Sequence, residues 1–312
     1  MSAFPDELKQ AIRQETGGQG GFAAGTRMMG EHYRRGGASD AALDLNAYLV
    51  TRLPATYAAV RACLAELPPD FAPQSFLDAG SGPGTASWAA VKTFPDIARI
   101  VMLDNNAKFL ELAKNLSASS SHAALQEPTA LVGDFSFDAE DMKCDLVVAA
   151  YALAEVPLGK STKAALALWR NCKQALVIVE PGTPQGFARI LEARAALIAE
   201  GANIVAPCTH ANVCPMVGQG WCHFKVRLPR SREHLHAKNA TVPFEDEKFS
   251  YLIASRAPVP NQNARILAPP LESKPAIGFK LCGENGLSLH SVARRDLEEY
   301  KRVRKLGWGD LF

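Results

Sequence analysis

Long apolar runs, closely spaced cysteine pairs and a lysine-bearing phosphate loop are all missing from this chain. No run approaches the length needed to cross a bilayer as a helix. None of the seven cysteines forms a CxxC pair, although structural zinc usually takes its ligands two to four residues apart. The start MSAFPDELKQ, Met1 to Gln10, carries early acids and no long apolar stretch, so neither a signal nor a transit peptide is expected. A chain of 312 residues is too large to need disulfide staples, and with reduced thiols and no export signal the expected compartment is the cytosol. An internal repeat and a low-complexity tract are also absent. With 47% hydrophobic residues the chain can bury a full core, as one large domain with additions.

Net charge is only +2, but it is unevenly spread. Residues 1–200 carry 18 Lys and Arg against 22 Asp and Glu, and residues 201–312 carry 16 against 10. The basic end holds Lys225, Arg227, Arg230, Arg232 and Lys238, then Arg294, Arg295, Lys301, Arg302, Arg304 and Lys305. Such clustering suits a phosphate backbone, though a solvated face would look the same.

Apolar positions recur at helical spacing through Ala42, Leu45, Leu49, Leu53, Val60, Leu64 and Leu67, after a flexible break at Gly17, Gly18, Gly20, Gly21 and Gly25. From Ser75 the pattern alternates strand and helix. Strands are expected at Ser75 onward, Arg99–Asp104, Ala130–Asp134, Cys144–Tyr151 and Ala175–Pro181. Their runs are apolar throughout, as in a parallel sheet covered on both faces. Phe249–Arg256 reads as a sixth strand, Ile277–Arg294 as a hairpin around Gly283–Gly286, and Asp296–Leu306 as a short basic helix.

The turn DAGSGPGT, Asp78 to Thr85, joins the first strand to a helix. Glycines there let the backbone turn tightly and approach a ligand, and the helix start offers free N–H groups. An acid opens the motif, which would repel a phosphate but accept from an ammonium group. Asp104 ends the second strand, where a carboxylate can take both ribose hydroxyls. Asp134 ends the third and could accept from an adenine amine, with Phe135 near the ring. A zwitterionic amino acid joined to a nucleoside fits this set: S-adenosylmethionine (SAM). The candidate cofactor residues are Asp78, Gly80, Ser81, Gly82, Gly84, Asp104, Asn105, Asp134, Phe135 and Tyr151. The fourth strand, DLVVAAYALAEVP from Asp145 to Pro157, has neither an Asn/Asp-Pro-Pro-aromatic clamp nor a cysteine nucleophile at its end. Tyr151 and Glu155 could line the pocket, but no residue declares itself a general base, so the catalytic residues are unassigned.

Cys208, Cys214 and Cys222 sit in PCTHANVCPMVGQGWCHF, Pro207 to Phe224, where prolines and glycines rule out regular structure; Cys282 lies far downstream. Four thiolates suit tetrahedral zinc or an iron–sulfur cluster. The wide gaps favour a cluster, while His210 and His223 keep zinc as an alternative. Cys63, Cys144 and Cys172 lie in apolar runs and read as small buried hydrophobes. A radical-SAM enzyme would hold its cluster in CxxxCxxC with one iron open, and that motif is absent.

Taken together, LDAGSGPGT (Leu77–Thr85), DLVVAAYALAE (Asp145–Glu155), VEPGTPQGF (Val179–Phe187), the cysteine coil, PFEDEKFSYL (Pro243–Leu252) and the stretch from Arg294 through KLGWGD at Lys305–Asp310 resemble one family nearly end to end. It is the methyltransferase-like family of small-ribosomal-subunit assembly proteins, bacterial and mitochondrial. The resemblance implies a [4Fe–4S] centre on Cys208, Cys214, Cys222 and Cys282, a SAM pocket on Asp78, Gly80, Gly82, Gly84, Asp104 and Asp134, and contact with rRNA of the small subunit. The expected fold is α/β: a class I SAM-methyltransferase (Rossmann-like) doubly wound sheet with N-terminal helices and a cysteine-rich metal-binding insertion. The expected layout is a helical region 1–67, a SAM-binding core 68–200, the cysteine-rich insertion 201–245, and 246–312 as strands completing the sheet plus the basic helix. A monomer that does not bind membranes, either an rRNA methyltransferase or an inactive rRNA-binding factor, is the expected form.

Overall fold

The computed structural model describes residues 4–17, 22, 24–26, 44–134, 142–157, 159–260 and 263–312. Phe135, Gly18, Gly20, Gly21 and Ala42 lie outside the described residues. In chain order the elements are helices α1 (Asp6–Glu15) and α2 (Leu45–Leu64), strand β1 (Ser75–Ala79), α3 (Thr85–Thr93), β2 (Arg99–Asp104), α4 (Ala107–Ser117), α5 (Ala123–Gln126), β3 (Thr129–Val132) and β4 (Cys144–Ala150). A 3-10 turn at Leu153–Glu155 leads to α6 (Ser161–Arg170), β5 (Cys172–Pro181), α7 (Pro184–Ala199), β6 (Asn203–Ala206), β7 (Phe224–Pro229), α8 (Arg232–Ala237) and β8 (Phe244–Ser255). The chain closes with β9 (Arg265–Ile266), β10 (Leu271–Glu272), β11 (Ala276–Gly283), β12 (Gly286–Ala293) and α9 (Leu297–Val303).

The main sheet runs β3-β2-β1-β4-β5-β8-β6, with β7 also on β8. Strands β1 to β5 pair in parallel, and β8 inserts antiparallel beside β5. Successive residues of each central strand enter different cores. Phe76, Met102, Val148 and Val177 pack with α1 to α4, whereas Leu77, Val101, Val147 and Ile178 pack with α6 and α7. Helices therefore cover both faces, which is why the strands are apolar without alternation. Buried Leu49, Leu53, Val60 and Leu64 seat α2 on the first face. Asp44 caps that helix by accepting from the Ala47 N–H at 3.1 Å.

Two departures from the sequence expectation bear on the site. Helix α7 is masked in the sequence pattern, because its entry VEPGTPQGF is rich in proline and glycine. Thr183 caps this helix by accepting from Gly186 N–H at 3.1 Å, and Pro184 takes a first-turn position where its missing donor costs nothing. The β11–β12 hairpin does not complete the main sheet but belongs to a separate four-stranded sheet with β9 and β10. Its β11 alternates buried and half-exposed residues, and β12 keeps a solvated face, with Leu289 exposed. A strand with one wet face cannot enter a sheet covered on both.

The cysteine coil leaves the main sheet after β6 and returns as β7, and both strands lie on the same edge of β8. Ala206 pairs with Ile253 and Phe224 with Phe249. Cys208 to Cys222 thus bulge from one point on the sheet edge.

Candidate functional site

A cavity of about 1230 Å³ opens at the carboxyl ends of β1, β2, β4 and β5, the place where open α/β sheets hold ligands. Gly80, Gly82 and Gly84 adopt φ of 70°, 51° and 77°, a region that L side chains avoid. The Gly80 and Ser81 N–H groups donate to the Leu103 carbonyl at 2.8 and 3.0 Å, fastening the turn to β2. Asp104 accepts from Gly82 N–H at 2.7 Å and from Asn106 N–H at 2.8 Å, so one carboxylate joins two loops at the cavity wall. Burial raises its carboxyl above the ordinary range, against the pull of those two donors.

Gly80, Gly82, Asp104, Asn105, Asp134 and Tyr151 line the cavity, as does Glu155. Asp78, Ser81 and Gly84 are not among its lining residues, and Asp78 and Ser81 are buried. The Asp78 carboxylate does not face the cleft: its Oδ2 accepts from the N–H and hydroxyl of Ser87 at 2.8 and 2.7 Å. It braces the first turns of α3, and burial pushes its carboxyl up to about 7. Gly84 starts α3 where a Cβ would meet the Met102 side chain at 3.1 Å.

Tyr151 ends β4 with φ 60°, an uncommon conformation for an aromatic residue and one that concentrates at functional sites. Its hydroxyl donates to Glu247 on β8 at 2.8 Å. The Arg52 guanidinium reaches the same oxygen at 3.3 Å and lies 5.3 Å from the Tyr151 ring centre. Burial, then the Glu247 charge, holds the phenol well above its ordinary pKa, so Tyr151 is a donor and not a base. Arg52 and Glu247 are cleft residues that sequence reasoning missed. They lie 99 and 96 positions from Tyr151 and carry no local motif.

Glu180, near the end of β5, is fully buried and neither carboxyl oxygen closes a hydrogen bond. Burial pushes it up to about 8, against the pull of Arg189 and of the Leu153 and Ala154 N–H groups. The folded state therefore favours the protonated acid. That stabilisation is complete below about 4.5, the ordinary glutamate value, and is lost as pH rises through about 8. Glu180→Gln removes the titration. Relative to wild type, its unfolding free energy should gain on the order of 4 kcal/mol between pH 4 and pH 9. Urea unfolding at both pH values measures this, and parallel profiles for the two proteins would refute it.

The second locus is a smaller cavity lined by Cys208, Cys214, Cys222 and Cys282 together with Arg194 and Arg265. The β11–β12 hairpin carries Cys282 to the coil, where its sulfur stands 3.8 Å from His210 Nε2. Burial raises the Cys208 and Cys222 thiols, and neighbouring cysteines add to the effect; Cys282 is pushed up to about 11 for the same reasons. Among the described residues no three His, Cys, Asp or Glu side chains are arranged to hold a metal ion. His223 turns away from the sulfurs, stacking on Trp221 at 5.4 Å with its edge toward Trp308. Cys63, Cys144 and Cys172 are buried in the two cores; burial pushes Cys144 up to about 11 and Cys172 to about 12.

Much of the basic C-terminal charge is matched locally. Lys225 and Arg227 pair with Asp246, Arg230 and Lys238 with Glu245, Arg294 with Glu272, Lys301 with Glu298, and Arg302 with Glu299. Lys160, Lys163 and Arg170 are different. They are exposed along α6 and its entry, line the large cavity, and make no ion pair among the described residues.

The strand order, the antiparallel β8 and the glycine turn closed by the next strand's acid define a Rossmann-like α/β protein of the class I methyltransferase type. Over residues 42–312 the chain matches, and belongs to, the family described as mitochondrial small ribosomal subunit Rsm22. It is 30% identical over 291 residues to the human (Homo sapiens) mitochondrial ribosome assembly protein METTL17, covering 85% of this chain and 61% of that protein. It is 25% identical over 321 residues to the mitochondrial Rsm22-cox11 tandem protein 2 of Schizosaccharomyces pombe, covering 85% and 42%. The chain thus spans less than two thirds of either relative. Among solved structures it is similar to magnesium protoporphyrin IX methyltransferase of Synechocystis PCC 6803 with bound SAM: 17% identity, 82% and 100% coverage, TM-score 0.45. Precorrin-6y C5,15-methyltransferase of Geobacter metallireducens GS-15 gives 18% identity, 62% and 86% coverage, TM-score 0.40.

The expected cytosolic location is corrected by these relatives, which are mitochondrial by name and point to the mitochondrion instead.

Proposed function

We propose that this chain is an rRNA-binding assembly factor of the small ribosomal subunit that holds SAM in the large cleft and methylates rRNA. The cleft itself carries the reading. On one side Gly80, Gly82, Asp104 and Asp134 offer the turn and carboxylates that suit an adenosyl amino acid. On the other, Lys160, Lys163 and Arg170, which make no ion pair among the described residues, offer cations to a phosphate backbone, and about 1230 Å³ accommodates a nucleotide beside the cofactor. Reversing these three charges to glutamate should weaken binding to immature small-subunit rRNA at least tenfold. The slope of log affinity against log salt should fall by about 2, as expected for three lost single-strand contacts. SAM affinity by calorimetry should be unchanged. Equal RNA binding by the variant would refute the placement, and transfer of labelled methyl from SAM to that RNA tests the activity.

One observation favours a second reading, an assembly factor that binds both ligands without catalysis. The Tyr151 hydroxyl, at the strand end where a base would be sought, is committed as a donor to Glu247. Failure of methyl transfer with SAM and RNA binding intact would decide for it.

The reading extends to a [4Fe–4S] cluster on Cys208, Cys214, Cys222 and Cys282. The wide spacing of these cysteines favours the cluster over zinc, whose protein ligands usually come as close pairs. Four sulfurs around a shared cavity suit a larger inorganic body. When bound, the cluster supplies a four-point staple between the coil and the hairpin. Cysteine is also the ligand that iron–sulfur chemistry prefers.

A further inference from the structure

We propose that Arg194 and Arg265 are members of the four-cysteine site, supplying positive charge and N–H donors to the sulfurs of its inorganic centre. The proposal rests on the reading that these cysteines hold such a centre. Arg194, on α7, is 5% exposed and Arg265, on β9, is 2% exposed, and both line the cavity of the four sulfurs. Burying a guanidinium costs several kcal/mol unless it is paired.

The protein meets that cost only in part. Arg194 donates from one terminal nitrogen to the carbonyls of His210 and Asn212 at 2.6 and 2.9 Å, inside the coil between Cys208 and Cys214. Among the described residues it has no carboxylate partner, and its Nε–H, though buried, has no hydrogen-bond acceptor. Arg265 donates through Nε to the Pro207 carbonyl at 3.0 Å, and through one terminal nitrogen to Glu66 and the Gly309 carbonyl at 2.9 and 2.6 Å. Its other terminal nitrogen is likewise buried and unmatched.

Two buried donors without acceptors therefore belong to residues that line the cavity of the four sulfurs. Four thiolates around a dicationic core would form a dianion, whose sulfurs can accept from both. Donors of this kind to a metal's ligands typically contribute 10- to 100-fold in metal retention. Net charge and hydrogen bonds to sulfur also set a cluster's reduction potential. Arg265 grips the Pro207 carbonyl next to Cys208, and Arg194 grips the coil backbone between Cys208 and Cys214, so they position these ligands while balancing their charge.

The test uses the full chain purified anaerobically, as wild type, Arg194→Gln, Arg194→Lys and Arg265→Gln. Iron and sulfide content are measured, then iron release to a chelator and one-electron reduction by dithionite. Arg194→Gln should release iron at least tenfold faster. At a fixed poise its reduced-to-oxidised ratio should fall about tenfold, a potential about 59 mV lower. Arg194→Lys should restore the potential but not the retention, because an ammonium keeps the charge without the guanidinium fork. Should Arg194→Gln fail to fold, Arg265→Gln and Arg194→Lys carry the same comparison. Wild-type retention and potential in the folded variants would overturn the proposal. A wild-type protein without iron and sulfide would instead overturn the underlying reading of the cysteines.

Discussion

Cys214→Ser, purified anaerobically, is expected to lose the visible charge-transfer absorption and its bound iron, and to accumulate in insoluble form. The coil it sits in has little else to hold it. Val213 is 88% exposed, Val217 and Trp221 are also exposed, and Met216 is the coil's buried hydrophobic anchor. Backbone of that kind gains too little burial to offset its conformational entropy, so metal binding becomes folding energy. Structural metals contribute on the order of 10 kcal/mol in small domains. The loss should spread to the cleft. The Trp221 indole donates to the Gly182 carbonyl at 3.0 Å, in the β5–α7 turn, and the following residues Thr183 to Gly186 line the large cavity. One helix, α7, presents Arg189 to the cleft and Arg194 to the cysteines. SAM affinity of any soluble Cys214→Ser protein should therefore fall several-fold. An unchanged visible spectrum would show that Cys214 is not a ligand.

The second large effect is expected at Gly186, in the first turn of α7. A Cβ there would stand 2.0 Å from the Pro181 carbonyl oxygen and 3.0 Å from its carbon. Neither side can yield. Pro181 ends β5, which is held between β4 and β8, and Gly186 N–H is tied to Thr183. Gly186→Ala should cost about 4 kcal/mol or more, the range reserved for clashes with fixed backbone. A drop in melting temperature on the order of 10 °C would follow. Because Gly186 lines the large cavity, SAM binding should suffer even where the protein folds. A wild-type melting curve would mean that α7 can shift away from β5, and that the cleft wall is softer than its hydrogen bonds imply.

Local signals carried much of the α/β core. The run RIVMLD is the second strand to the residue, and the glycine turn follows the first strand as expected, because short apolar strands bounded by turn residues are specified locally. The third strand is Thr129–Val132, so Asp134 lies two residues past its end. Helix α7 stayed hidden, although Thr183 and Pro184 form a helix-start signal, because prolines and glycines around them mimic a loop. The C-terminal basic cluster is matched only in part, since Arg232, Arg295, Arg304 and Lys305 are exposed and make no ion pair among the described residues. Composition counts cations but not their partners, and Asp246 and Glu245 sit across from Arg227 and Arg230 only because β7 pairs with β8.

By itself, the sequence determined the alternation of strands and helices, the glycine turn with its acids, and the unusual spacing of three cysteines. Each of these is written in neighbouring residues and follows from backbone sterics and periodicity. Family resemblance already grouped Cys282 with Cys208, Cys214 and Cys222, whereas only the tertiary structure decided that Asp78 turns under α3 and that Glu247 meets Tyr151. It also decided, among the described residues, which cations at the cleft have no ion pair and which guanidinium groups are buried with open donors. Those facts depend on strand order and on burial, which remove water and bring distant residues within bonding reach, and neither is a property of any short stretch of chain.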